Sequence, residues 1–244
     1  GAVFNNGTLR FVNSAISGNR ALPDAGSYGG AIYNQAGVVD VVDSLIERNV
    51  ADAAAGVANF SGIARLSGST VRANTAVVGD GGGVYSFAGT LIMTETRVAQ
   101  NQARSGAGVL SSGGLTATAV SIEDNIATAN VGGAQVAGSV MISGGIIRRN
   151  QAGPAAGNYA GGLLLINANA LVVNTVISGN SAGYAGGVYV YNSTGRLYDS
   201  AVYANTATQQ AGGGINVDTG YLTISRTAIY SNTATGPVFP NGGG

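Results

Sequence analysis

The sequence predicts an all-β chain, a single right-handed parallel β-helix over residues 1–244, with about nine coils of three short strands and uncapped ends. Three observations predict it. Asparagine recurs at Asn19, Asn49, Asn74, Asn101, Asn125, Asn150, Asn180, Asn205 and Asn232, at intervals of 24 to 30 residues. Each is followed by a glycine pair or near-pair and an apolar residue, as in Gly29-Gly30-Ala31-Ile32, Gly82-Gly83-Val84 and Gly213-Gly214-Ile215. The spacing from the last of these glycines to the next Asn is held at 17 to 19 residues (Gly30 to Asn49, Gly108 to Asn125), whereas Asn to glycine varies from 7 to 12. Such a period is the signature of stacked repeats, and variation confined to one corner leaves the remainder in registered strands.

Within the constant block the apolar period is two, the period of a strand. The first strand begins after the glycines, with Val3, Ile32, Val57, Val84, Val109, Leu163, Val188 and Ile215 facing inward. The second carries Phe11, Val41, Leu66, Met93, Ala117, Ile142, Val172, Leu197 and Ile224 eight residues before each Asn. The third carries Ile16, Ile46, Val71, Val98, Ile122, Ile147, Ile177, Val202 and Ile229 three before it. Like residues then stack at about 4.8 Å, and nine coils make a rod of roughly 43 Å. The Asn column is expected at a tight inward corner, in left-handed backbone, bonded to neighbouring coils and to itself along the axis. Ser14, Ser44, Ser69, Thr96, Thr175, Ser200 and Thr227, five before the Asn, read the same way. Glycine at the opposite corner supplies positive φ or close backbone approach. Pro23, Pro154, Pro237 and Pro240 all fall in the variable corner and mark it as a loop, since proline cannot donate to a ladder.

The GG-A/G-I/V motif, followed about 17 residues later by Asn, resembles the repeats of the polymorphic outer-membrane proteins. It is similar also to autotransporter passenger domains and other repetitive β-helix surface proteins. The resemblance covers the whole chain and implies a surface-exposed solenoid. One position departs: Ile or Val stands where those outer-membrane proteins carry the Phe of Phe-x-x-Asn, as in Ile16-Ser17-Gly18-Asn19.

Composition narrows the function. Net charge is zero, only 9% of residues are charged, and no basic run exists, which argues against a nucleic-acid partner. No apolar stretch approaches the roughly 20 residues of a membrane helix. There is no Cys, His or Lys, so a disulfide framework and a thiolate metal site are excluded. The glycine motifs lack the Lys-Ser/Thr of a phosphate loop. No cofactor or metal is expected. β-Helices that cleave polysaccharides need clustered carboxylates, often with His, or Ca²⁺ beside a basic residue. Here most of the eleven carboxylates are explained by position in the repeat, four of them in charge ladders: Glu47 over Arg72, Glu123 over Arg148, Asp124 over Arg149, and Arg10, Asp40 and Arg65 in alternating sign. Exposed cross-strand pairs of this kind contribute about 0.2–1 kcal/mol and fix register. The strongest remaining catalytic set is Asp40, Asp43 and Glu47 with Arg48 and Arg65; Asp80 is a lone carboxylate in a glycine loop.

Aromatic residues offer contact surface. Phe4, Tyr33, Tyr85, Leu164 and Tyr189 follow the inward residue of the first strand and should face outward; Tyr203 and Tyr230 form a second short stack. Such stripes bind sugar rings or another protein surface. Three sequons, at Asn6, Asn59 and Asn192, lie near the turn after the first strand. Joining tail to head, Asn241-Gly242-Gly243-Gly244 and Gly1-Ala2-Val3-Phe4 recreate the Gly29-Gly30-Ala31-Ile32-Tyr33 motif. The expected role is a structural subunit of an extracellular fibre or surface stalk, stacking on itself head to tail, with a carbohydrate-binding adhesin as the alternative and a polysaccharide-cleaving enzyme as the weaker one.

Overall fold

A computed structural model describes residues 1–21, 27–153, 159–209 and 212–236. Pro23, Pro154, Pro237 and Pro240, and the tail Asn241, Gly242, Gly243 and Gly244, lie outside the described residues. The chain winds into an all-β solenoid of about eight turns, without a helix among the described residues. The strands of the Ile/Val column form a nine-stranded parallel sheet, and nine levels bound eight complete turns.

One coil shows the plan. The glycine strand Val84–Ser86 leads to a middle strand Thr90–Thr94, an Ile/Val strand Arg97–Ala99 and a two-residue strand Gln102–Ala103. Each pairs in parallel with its equivalents in both neighbouring coils: Val84 with Val57 and Val109, Met93 with Leu66 and Ala117, Val98 with Val71 and Ile122. All three expected columns therefore stack, and their interior members are buried. At the last described level Ile224 and Ile229 are 41% and 47% exposed.

The fourth strand is an addition to the expected plan. It carries an inward Ala two residues after the Asn (Ala51, Ala76, Ala103, Ala127, Ala182, Ala207), and several of these build a second, small-residue core. The sequence signal is Asn-x-Ala, present after all nine asparagines.

The left-handed backbone sits one residue earlier than expected. Positive φ falls on the residue before each Asn: Arg48 (53°), Ala73 (53°), Gln100 (57°), Asp124 (57°), Arg149 (52°) and Ala204 (53°) among them. It recurs before the Ser/Thr column, at Asp43 (47°), Glu95 (48°) and Arg226 (48°). The reason is hydrogen bonding. Each Asn must aim its amide inward and its own N–H along the axis, so the bend is displaced onto its predecessor, at roughly 1–2 kcal/mol for a non-glycine residue.

The fixed glycine-to-Asn spacing also has a physical cause. A Cβ on Gly83 would lie 2.6 Å from Gly108 O and 2.9 Å from Asn101 Nδ2; on Gly108 it would meet Gly133 O at 2.6 Å and Asn125 Nδ2 at 2.9 Å. The glycine leaves the space that the asparagine of its own coil fills.

Candidate functional site

The Asn column is a continuous buried ladder. Asn125 Oδ1 accepts the backbone N–H and one Nδ2 hydrogen of Asn101, both at 3.0 Å. Asn125 Nδ2 donates to Val98 O at 3.1 Å and to Asn150 Oδ1 at 2.9 Å. The same set of bonds repeats at Asn49, Asn74, Asn101, Asn150, Asn180 and Asn205. The Ser/Thr column closes its own corner, as in Ser44 Oγ donating to Val42 O and accepting from the N–H of Ser14. A second ladder, absent from the sequence expectations, joins Asn5, Asn34 and Asn59 at 2.7 Å per step and passes to Ser86. It ends there: Ser86 and Ser111 donate to Gly89 O and Gly114 O of their own coils, and Val136, Leu165, Val190 and Val217 then take the equivalent register, with the sheet irregularity between Val136 and Gly138 beside the change to apolar residues.

The charge ladders stand, but two of them are not surface pairs. Glu123 is 4% exposed and receives Arg97 at 2.6 Å, Arg148 at 2.7 Å and Arg149 at 3.2 Å. Burial pushes its carboxyl up; hydrogen bonds from Arg148 and Arg97, with their charges, outweigh this and hold it below the usual carboxylate range. Glu47, 8% exposed, binds Arg72 at 2.7 Å. Each follows the inward Ile46 or Ile122 and so lies on the outer face of its strand, where arginine side chains cover it: Arg72 and Arg48 over Glu47, and Arg97, Arg148 and Arg149 over Glu123. Asp124 is held low chiefly by its hydrogen bonds with Arg149 (2.7 and 2.8 Å). Arg65 meets Asp40 at 3.3 Å, and Arg10 stands in register with Asp40.

Of the catalytic set considered above, Asp40 and Glu47 are engaged in separate ion pairs with Arg65 and Arg72. Asp43 lies at the bend, and Arg48 meets Glu47 at 3.5 Å. Asp80 is bound in fork geometry by Arg104, at 3.1 and 3.2 Å. No group of three or more His, Cys, Asp or Glu suited to a metal ion occurs among the described residues. No described helix is long and apolar enough to cross a membrane.

The aromatics divide into three clusters on the outer surface. Phe4, Tyr28, Tyr33, Phe60, Tyr85 and Phe87 form one, with Phe4 stacked on Tyr33 at 5.7 Å and Phe60 on Phe87 at 5.1 Å. Burial, then the neighbouring Tyr28 and Asp80, raises the phenol of Tyr85. Tyr203 and Tyr230 stack at 4.9 Å with planes 6° apart. The third cluster corrects an expectation. Tyr189 and Leu164 point outward but are only 3% and 2% exposed, because Tyr159 and Tyr184, from the variable corner of two coils, lie over that face. The phenol of Tyr189 is raised strongly, first by burial and then by its hydrogen bond to Asp218 Oδ2 at 3.1 Å.

This third cluster lines a recess of about 280 Å³ with Tyr191 and Asp218 at its rim, and beside it runs an open polar groove of about 800 Å³. The chain matches no known family model, no curated protein and no solved structure. The local geometry alone therefore identifies where contact chemistry is concentrated.

The sequons separate by burial. Asn6 and Asn192 are exposed, whereas Asn59 is fully buried with Nδ2 bonded to Gly62 O and Ser86 Oγ, so the fold denies that amide to a glycosyl transferase. Gly1, Ala2, Val3 and Phe4 form the first level, with Val3 in register with Ile32 and Phe4 with Tyr33.

Proposed function

We propose that the chain is a structural rod, a length-giving subunit of an extracellular fibre or surface stalk that grows by stacking end on end. One observation carries this reading: polar and apolar columns run in register through all nine levels, so interior coils present the same mating surface above and below. The Asn ladder has a sense. Interior asparagines donate two Nδ2 bonds, one of them to the next coil, and accept two from the previous one. Among the described residues Asn19 Oδ1 accepts none, and Asn232 Nδ2 donates only to Val202 O. Those groups are complementary, and a second copy placed head to tail would continue the ladder. Such a heterologous contact propagates rather than closing into a dimer. The likeness of the repeats to outer-membrane and autotransporter passengers supports the extracellular setting.

Electron microscopy and concentration-dependent light scattering of the purified chain test the proposal. Unbranched fibres are expected, and a bulky charged segment added after Gly244 should give short or single rods. A chain that stays monomeric at high concentration overturns end-on growth.

A further inference from the structure

We propose that the flank of the last three described coils is a glycan-binding site: one sugar ring sits in the tyrosine recess and the chain of sugars continues along the polar groove to Arg196, which takes an acidic unit. The inference does not depend on whether the rod polymerises.

The two depressions form one surface. Ile166, Tyr191 and Asp218 stand in register on successive coils and border the recess. The residues that follow them in sequence, Asn167, Asn192 and Thr219, line the groove. All three have left-handed backbone, at φ of 50°, 45° and 50°, which bends the sheet at this row. Asn169, Thr194 and Tyr221, again in register, form the far wall.

The chemistry of the two parts differs, and the difference fits a sugar. A pyranose has an apolar C–H face and a rim of hydroxyls. Tyr159, Tyr184 and Tyr191 offer ring faces and phenol groups over the buried Tyr189, in a space sized for one small ring. Asp218 stands at the rim, oriented by the Tyr189 hydroxyl on Oδ2; its Oδ1 accepts no hydrogen bond among the described residues. A fixed carboxylate of this kind accepts sugar hydroxyls and repels an anionic sugar. The groove supplies amides and hydroxyls. Asn192 Nδ2 donates to Asn167 Oδ1 at 2.6 Å, leaving the other ends of both amides turned to solvent. The single charged side chain of the groove is Arg196. Eight of the other ten arginines are paired with carboxylates, whereas Arg196, like Arg10 and Arg20, has no ion pair among the described residues. An unpaired guanidinium in a groove of neutral donors and acceptors suits a carboxylate held in a fork. The site therefore has a direction, with a neutral ring at the Asp218 end and an acidic sugar at the Arg196 end.

A glycan array probed with the purified chain, followed by titration of the strongest oligosaccharide and its neutral analogue, tests this. Tyr191→Ala, Arg196→Gln and the distant control Tyr230→Ala are compared after their melting curves are matched to the wild type. Acidic oligosaccharides are expected to bind. Arg196→Gln should weaken the acidic ligand about tenfold or more and leave the neutral analogue unchanged. Tyr191→Ala should weaken both, and Tyr230→Ala neither. No binding on the array, or binding indifferent to Tyr191→Ala, overturns the proposal. So does binding of choline without any glycan, which would make the recess a cage for a quaternary ammonium ion.

Discussion

Replacing Asn125 with alanine would interrupt the Asn ladder at mid-rod, where no water can take over. The side chain is fully buried and makes four hydrogen bonds. Its loss strands the backbone N–H of Asn101, one Nδ2 hydrogen of Asn101, and Val98 O. Asn150 Oδ1 still accepts the N–H of residue 125, at 3.0 Å. Three orphaned groups at about 1–3 kcal/mol each, partly relaxed by small shifts, give an expected loss of about 3–6 kcal/mol. Asn232→Ala removes an equivalent set at the last described level, where the side chain is half-buried and solvent can substitute, so it should cost about 1 kcal/mol. Asn125→Asp separates hydrogen bonding from shape. It keeps both acceptor bonds but sets an oxygen against Val98 O and Asn150 Oδ1, so it should be at least as damaging at pH 7. Urea unfolding followed by circular dichroism measures all three, with m-values compared because a solenoid can unfold in sections. If Asn125→Ala falls within about 1 kcal/mol of wild type, or equals Asn232→Ala, the ladder does not hold the coils together and the reasoning fails.

Three further outcomes follow from the same geometry. Glu123→Gln should cost about 1–3 kcal/mol at pH 7, discounted because its arginine partners are half exposed. Its folded carboxyl titrates below the unfolded value of about 4.3, so the gap in melting temperature from wild type should be flat above pH 5 and close only as pH falls through the lower, folded value. Ile122→Asp, at a position 2% exposed, should unfold the neighbouring coils, whereas an exchange at exposed Ser17 should not shift the melting curve. Gly83→Ala should cost about 1–3 kcal/mol through its clash with Gly108 O, whereas Gly7→Ala, with nothing within 4 Å, should be close to neutral in the same assay.

The fold was legible because its determinants repeat. An Ile or Val three residues before each of nine asparagines is already a column in the sequence itself. Charge partners were legible for the same reason, as adjacent levels pair Glu47 with Arg72 and Glu123 with Arg148. Burial was not: Glu123 gathers Arg97 from one neighbour and Arg148 and Arg149 from the other, and a register alignment compares one position at a time. The short ladder of Asn5, Asn34 and Asn59 spans too few levels to read as a column, and Asn59 reads equally well as a sequon. The tyrosine recess was hidden more deeply. Tyr159 and Tyr184 come from the corner of variable length, where position in the repeat carries no information, and they bury a Tyr189 whose strand parity points it to solvent.

The pairing of each motif glycine with the asparagine of its own coil makes the coil an interchangeable part. Everything that Asn101 needs from below or above is a backbone carbonyl, a backbone N–H or another asparagine amide, and its space is cleared by Gly83 within the same coil. In-phase recombination between two such coils would therefore delete or add one whole level without creating a new junction. Rod length becomes a quantity inherited in steps of one strand spacing, and mutation can lengthen or shorten the molecule while leaving its chemistry in cross-section unchanged.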